Sequence, residues 1–228
     1  MSQIITPFKE SLFNDNLKDL AGDIIELGID SILEDGLLRD IPIVNTIVGT
    51  FKFGQNIHDR NLLKQTIIFI QEFNNNSNSE KVQKYISEYK NNITNNPKKA
   101  ENELGRIMII LNRNIDEIKT RILAKLYLYY IENKINWSEF CDLSEVNEKI
   151  FTLDIDVLKD IFLNNTDFDE QKLHNYQRLV SAGLMKNDSK FDSGTSLKGM
   201  LVTENSTQSP KMELTLLGKQ FAKIITTT

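Results

Sequence analysis

"IPIVNTIVGTFKFGQNI", Ile41 to Ile57, is the most apolar window of a 228-residue chain that is otherwise rich in Asn, Lys and Glu, and Lys52 is its only charge. A helix that crosses a bilayer needs about 20 mainly apolar residues. This window is shorter and is broken by Asn45, Thr46, Thr50, Gln55 and Asn56. Pro42 suits the first turn of a helix, where its missing N–H would have no partner. At helical spacing Ile43, Ile47, Phe51 and Gly54 share one side, with Val44 and Val48 beside them, a stripe wide enough for the centre of a bundle. Gly49 and Gly54 are places where a second helix can come close. The expectation is a buried helical hairpin, residues 41–57 against "RNLLKQTIIFIQEF" at 60–73.

Upstream, "NLKDLAGDIIELGIDSILED" (16–35) places Leu17, Leu20, Ala21, Ile24, Leu27 and Ile32 on one side and Asp19, Asp23, Glu26, Asp30 and Glu34 mostly on the other, an amphipathic helix with an acidic outer face. Downstream, "NNNSNS" (74–79) has nothing to bury and is expected to be a flexible loop. Ser77 and Glu80 have capping-box spacing ahead of "EKVQKYISEYK", Asn96-Pro97 opens a further helix, and Asn114/Glu117 and Asn136/Glu139 repeat the capping spacing before two more. With four prolines and ten glycines in the whole chain, residues 1–150 are expected to form a bundle of short antiparallel helices.

The pattern changes after residue 150. A short helix from Asp154 to Phe162 and a longer one in "DFDEQKLHNYQRLVSAGLMK", with Leu173, Tyr176, Leu179, Val180 and Leu184 at helical spacing, precede two segments of strand character, "SLKGMLV" and "KMELT". The turn-rich "TENSTQSP" (203–210) separates those strands, and "LTLLGKQFAKII" returns to helix. The fold class expected is mainly α: a helical bundle followed by a winged-helix-like module with a short β-hairpin at 151–228.

Charge and composition narrow the function classes. A net charge of −5 argues against broad attraction to nucleic acid or anionic lipid, and residues 153–228 hold nine Lys or Arg against ten Asp or Glu. The single cysteine, Cys141, cannot form an internal disulfide, and "MSQIITPFKE" lacks the basic and apolar regions of an export signal, so a reducing cytoplasm is expected. His58 and His174 are far apart, and the chain has no HExxH, Cys-x-x-Cys, GxSxG or P-loop pattern. No catalytic residue, metal or cofactor is expected. Asp154/Asp156 and Asp167/Asp169 look like metal-binding pairs, but residues two apart on a helix point roughly opposite ways, and acidic residues at helix starts suit the macrodipole. Cys141, with no His or Arg beside it in sequence, is expected to be a small buried apolar group. Tyr127, Tyr129 and Tyr130 of "LYLYY" are expected in the core or at an interface.

One helix does carry base-reading chemistry. Gln171, Lys172, Asn175, Gln177 and Arg178 have donors and acceptors suited to base edges and are the candidate contacts to nucleic acid or to a partner. Asp167, Asp169 and Glu170 at its start would repel phosphates.

"YQRLVSAGLMK", a wing, and then "LTLLGKQFAKII" place Gly183 after a leucine-rich helix and Gly218 in a Leu-Thr-x-x-Gly-x-x-Phe run. Over about the last 60 residues this resembles bacterial winged-helix proteins and the abortive-infection alpha family of phage-defence proteins. The resemblance implies a bacterial, antiviral setting and no particular reaction. Together the sequence supports a non-enzymatic macromolecule-interaction protein, a sensor or effector with a protein partner or self-association. The alternatives are a winged-helix DNA-binding regulator using 171–178 and 203–210, with DNA disfavoured by the acidic balance, and a membrane-perturbing effector that exposes 41–73.

Overall fold

The computed structural model describes residues 2–14, 41–50, 57–90, 97–164, 169–187 and 212–227. The expected acidic amphipathic helix at 16–35 lies outside them, as do Phe51, Lys52, Gly54 and Asp167. The fold is mainly helical, with one small antiparallel sheet. It divides into two compact units, Met1–Glu148 and Lys149–Thr228.

The first unit contains α1 (Ser2–Leu12), α2 (Pro42–Thr50), α3 (Ile57–Asn75), α4 (Glu80–Lys90), α5 (Pro97–Arg113), α6 (Glu117–Ile131) and α7 (Trp137–Lys149). Pro42 and Pro97 each stand at the first helical position, where no N–H is needed. The central helix is α3. From Gln65 to Gln71 every side chain is buried, because α6 and α5 pack on it from different sides and α1 covers part of the rest. Phe8, Phe69, Phe73, Tyr127 and Phe140 form its aromatic spine, with ring centroids of successive neighbours 5.9–6.3 Å apart. Two polar side chains inside this helix are satisfied locally, from α6 and from the residues just before it: Thr66 Oγ donates to the Leu62 carbonyl, Gln65 Nε donates to the Ile115 carbonyl, and Thr120 Oγ donates to Gln65 Oε1.

The opening window is therefore corrected in place and partner. Ile41, Ile43, Val44 and Ile47 are buried, as their spacing requires, but α2 packs mainly on α1 and only slightly on α3. Ser11 Oγ accepts the Ile43 N–H at 3.0 Å, filling one of the N–H vacancies that every helix start leaves. With Asn45 and Gly49 exposed, α2 is a one-sided helix and not the bundle centre. A Cβ at Gly49 would meet nothing among the described residues. The sequence reading passed over α1, which has Pro7 within it, and an internal proline ordinarily marks a helix break.

The segment 74–79 is a pinned turn rather than a flexible joint. α3 runs on to Asn75, Asn74 and Ser77 are buried, Ser77 Oγ donates to the Asn74 carbonyl, and Gln83 Nε donates to the Ser77 carbonyl at 2.8 Å. The cap of α4 is consequently Ser79, whose Oγ accepts the Val82 N–H, and not Ser77. Asn114 is not a cap either: it is buried and donates to Thr120 Oγ, leaving Asp116 at the N-cap of α6. Asn136 and Glu139 do form the reciprocal box. The Asn136 N–H donates to Glu139 Oε2 at 2.7 Å and the Glu139 N–H to Asn136 Oδ1 at 3.0 Å.

The second unit runs α8 (Thr152–Asn164), a 3-10 turn (Glu170–Lys172), α9 (Leu173–Ser181), β1 (Met185–Asn187), β2 (Met212–Leu214) and α10 (Leu216–Thr226). Its core joins Ile155, Leu158, Tyr176, Leu179, Leu184 and Phe221, while Leu173 is partly exposed and Val180 half-buried. The Gly183 and Leu184 N–H groups donate to the carbonyls of Val180 and Leu179, a Schellman end that needs the φ of +75° at Gly183. Thr215 caps α10 by accepting the Gly218 N–H at 2.9 Å. A Cβ at Gly218 would fall deep inside contact distance of the Leu184 carbonyl, so only glycine fits. β1 and β2 are antiparallel with Met185 opposite Leu214 and Asn187 opposite Met212. "KMELT" thus supplies a strand as expected, but its partner is 185–187, directly after the glycine turn. The segments 196–202 and 203–210 lie outside the described residues.

Candidate functional site

The five residues singled out as contacts separate into two groups. Gln171 and Gln177 are exposed and Lys172 is half-buried, with the Gln171 N–H donating to Asp169 Oδ1. Asn175 and Arg178, one turn apart on α9, turn inward to Asp154 of α8. Asn175 Nδ donates to Asp154 Oδ1 at 2.6 Å, and Arg178 holds the same carboxylate through Nε to Oδ2 at 2.7 Å and Nη2 to Oδ1 at 2.5 Å. Asp154 is buried, and a buried carboxylate is tolerated when its oxygens are filled by charged and neutral donors in this way. The guanidinium also lies 4.7 Å from the centre of the exposed Phe151 ring. Two of the five candidate contacts, Asn175 and Arg178, are thus engaged within the fold, while Gln171 and Gln177 stay exposed. No sequence pattern marks the link, since Asp154 is 21 residues from Asn175 and 24 from Arg178.

Asp154 and Asp156 do point apart: Asp156 is exposed and faces Lys159 at 3.5 Å. Among the described residues no group of three or more His, Cys, Asp or Glu side chains is placed to hold a metal ion, and no helix is long and apolar enough to cross a membrane. His58 is exposed in α3 with Asp59 beside it at 3.7 Å, and His174 is exposed in α9. Cys141 is half-buried, not fully buried. Burial pushes its thiol above the ordinary value, and the nearby Arg106, invisible in the local sequence, pulls the other way without reversing the shift. Such a thiol is a poor nucleophile at neutral pH.

A site with no sequence signature opens in the first unit. A cleft of about 870 Å³ is bounded by α4, the start of α5, the turn between α6 and α7, and the first turn of α7. Lys81, Lys84, Lys99 and Lys134 stand around it, all exposed, and Tyr85, Tyr130 and Trp137 line it, all half-buried. α4 presents Lys81, Lys84, Tyr85 and Glu88 at spacings of three, one and three, the periodicity of one helix face. The α6–α7 turn is fixed by Asn133 at φ 57°, with the Asn133 and Lys134 N–H groups donating to the carbonyls of Tyr130 and Tyr129. That is a second Schellman end.

The aromatic lining is rigidly backed. Trp137 stacks on Phe140 with centroids 4.8 Å apart and meets Tyr130 edge-on at 5.2 Å. Tyr130 Oη donates to Glu103 at 2.6 Å. Burial raises the Glu103 carboxyl above its ordinary range, while the Tyr130 hydroxyl and Lys99 oppose the rise. The Tyr85 hydroxyl shares a 3.0 Å hydrogen bond with that of the fully buried Tyr127. Burial drives the Tyr85 ionisation far upward, so its hydroxyl stays neutral. Within "LYLYY", Tyr127 is core as expected, Tyr130 lines the cleft, and the Tyr129 ring lies under the Lys134 ammonium at 4.6 Å. The sequence reading missed the cleft because three separate segments contribute to it, 81–88, Lys99 and 130–139.

Compared with known proteins, the chain matches no family model, no curated protein and no solved structure.

Proposed function

We propose that this chain acts without catalysis of its own by binding another macromolecule, and that residues 151–228 are a winged-helix-like module that docks a protein rather than duplex DNA. The order helix, helix, strand, strand, helix supports a winged-helix module, as do the glycine-dependent turn at Gly183 and the tight approach at Gly218. The observation that carries the choice of partner is the hold of Asp154 on Asn175 and Arg178. A helix that reads bases needs those donors free, and each good bidentate base contact contributes about 1–3 kcal/mol of discrimination. The same unit leaves Leu153 and Leu216 at 76% and 86% exposure, apolar groups that favour a protein surface. The likeness of the last 60 residues to the abortive-infection alpha family supports a bacterial setting and the role of a sensor or effector in phage defence. The membrane-perturbing alternative is disfavoured because Ile43, Val44 and Ile47 are fully engaged in the fold.

Duplex selection from a random library at physiological salt tests the reading. The expected result is no enriched sequence and salt-sensitive, micromolar or weaker binding that Arg178→Ala leaves unchanged. A selected duplex bound at nanomolar affinity overturns the protein-docking reading in favour of a DNA-binding regulator.

A further inference from the structure

We infer that the lysine-rimmed aromatic cleft of the first unit is a binding site for a small phosphorylated ring compound, a nucleoside phosphate being the simplest member of the class. This does not rest on the proposed role of the second unit. Size comes first: about 870 Å³ lies within the roughly 300–1,000 Å³ of small-molecule sites.

Charge comes second. The chain as a whole carries −5, yet four ammonium groups surround this one cleft against two lining carboxylates, Glu88 and Glu139. Glu139 is turned to the backbone as half of the capping box. Lys84 faces Glu88 at 3.9 Å, Lys99 faces the buried Glu103 at 3.7 Å, and Lys81 donates to the Glu132 carbonyl at 3.0 Å. An exposed ion pair such as Lys84–Glu88 contributes about 0–1 kcal/mol, so a phosphate group displaces it readily. Lys134, in closer contact with Glu132 at 2.6 Å, keeps the turn in place. Phosphate oxygens accept from several ammonium groups at once, which a single carboxylate does less well.

The third argument is the ring surface. Trp137 and Tyr130 are half-buried side chains that line the cleft, and their geometry is fixed by Phe140 behind and by the Tyr130–Glu103 hydrogen bond. Stacking of a base on such an aromatic contributes about 1–3 kcal/mol. Ammonium groups at the rim and fixed rings between them match a molecule that joins phosphate to a flat ring.

Trp137 is the only tryptophan in the chain, so its fluorescence reports the cleft directly. The full chain is titrated with the four nucleoside triphosphates, adenosine and inorganic pyrophosphate. At least one triphosphate is expected to quench the emission saturably. Adenosine and pyrophosphate each bind at least about tenfold more weakly, a step of about 1.4 kcal/mol. Lys81→Ala/Lys84→Ala, which alters two exposed side chains and is checked for an unchanged circular dichroism spectrum, weakens the triphosphate by about tenfold or more. Calorimetry on the unsubstituted chain repeats the titration independently of the fluorescence reporter and is expected to give the same affinity. The inference is overturned if no triphosphate binds at millimolar concentration, if adenosine or pyrophosphate binds as tightly as the triphosphate, or if the double lysine variant binds unchanged.

Discussion

The chain ends two of its helices with the same backbone device and uses it for opposite ends. After α6 the left-handed residue is Asn133 and the next is the exposed Lys134; after α9 it is Gly183 and the next is the buried Leu184. Asparagine tolerates positive φ, whereas glycine adopts it without steric cost. The first turn leads outward and builds the wall of a cleft, and the second leads inward and starts a strand. A helix stop is a local matter, but its use depends on whether the following side chain seeks water or core.

The cores differ in the same sense. The first unit relies on volume: a central helix buried all round and a run of packed aromatic rings. The second relies on fit, with a glycine where no Cβ can be placed and a buried carboxylate filled by three donors from two side chains. Phe69→Ala is expected to show the largest effect. It removes a fully buried ring that neighbours Phe8 and Tyr127, at a cost of about 3–5 kcal/mol. Hydrogen exchange of the α6 amides measures it, and a loss below about 1 kcal/mol contradicts a core held by volume.

Gly218→Ala adds one methyl group and should still destabilise the second unit, near the upper end of the about 1–3 kcal/mol that overpacking costs. The Leu184 backbone carbonyl it meets cannot rotate away as a side chain would. Unchanged exchange protection in α10 would show that the two backbones part easily and that fit is not what holds this unit. Asp154→Ala should have the smallest effect, about 1–2 kcal/mol, because it leaves the buried Asn175 amide without its acceptor. Chemical denaturation checks the value, and restoration by Asp154→Asn, which keeps one acceptor oxygen, separates the hydrogen bond from the lost volume.

The sequence by itself determined the helical character of the chain and several of its boundaries. Pro42 and Pro97 at helix starts, the Asn136/Glu139 box and the strand in "KMELT" were all legible, because each acts over a few residues of backbone. Where two capping groups competed, only packing decided: Ser79 caps α4 since Ser77 is drawn into the turn, and Asn114 is used by Thr120. Hydrophobic spacing marked both 41–57 and 60–73 as buried but could not rank them. Which helix is central depends on how many neighbours pack around it, and α1, α5 and α6 surround α3. The same limit hid the chemistry. Asp154 reaches partners more than twenty residues away, and the cleft joins Lys81, Lys99 and Trp137 from three helices. Side chains that distant in sequence meet only after the helices have packed, and periodicity along one helix specifies which face is buried without specifying what will be opposite it.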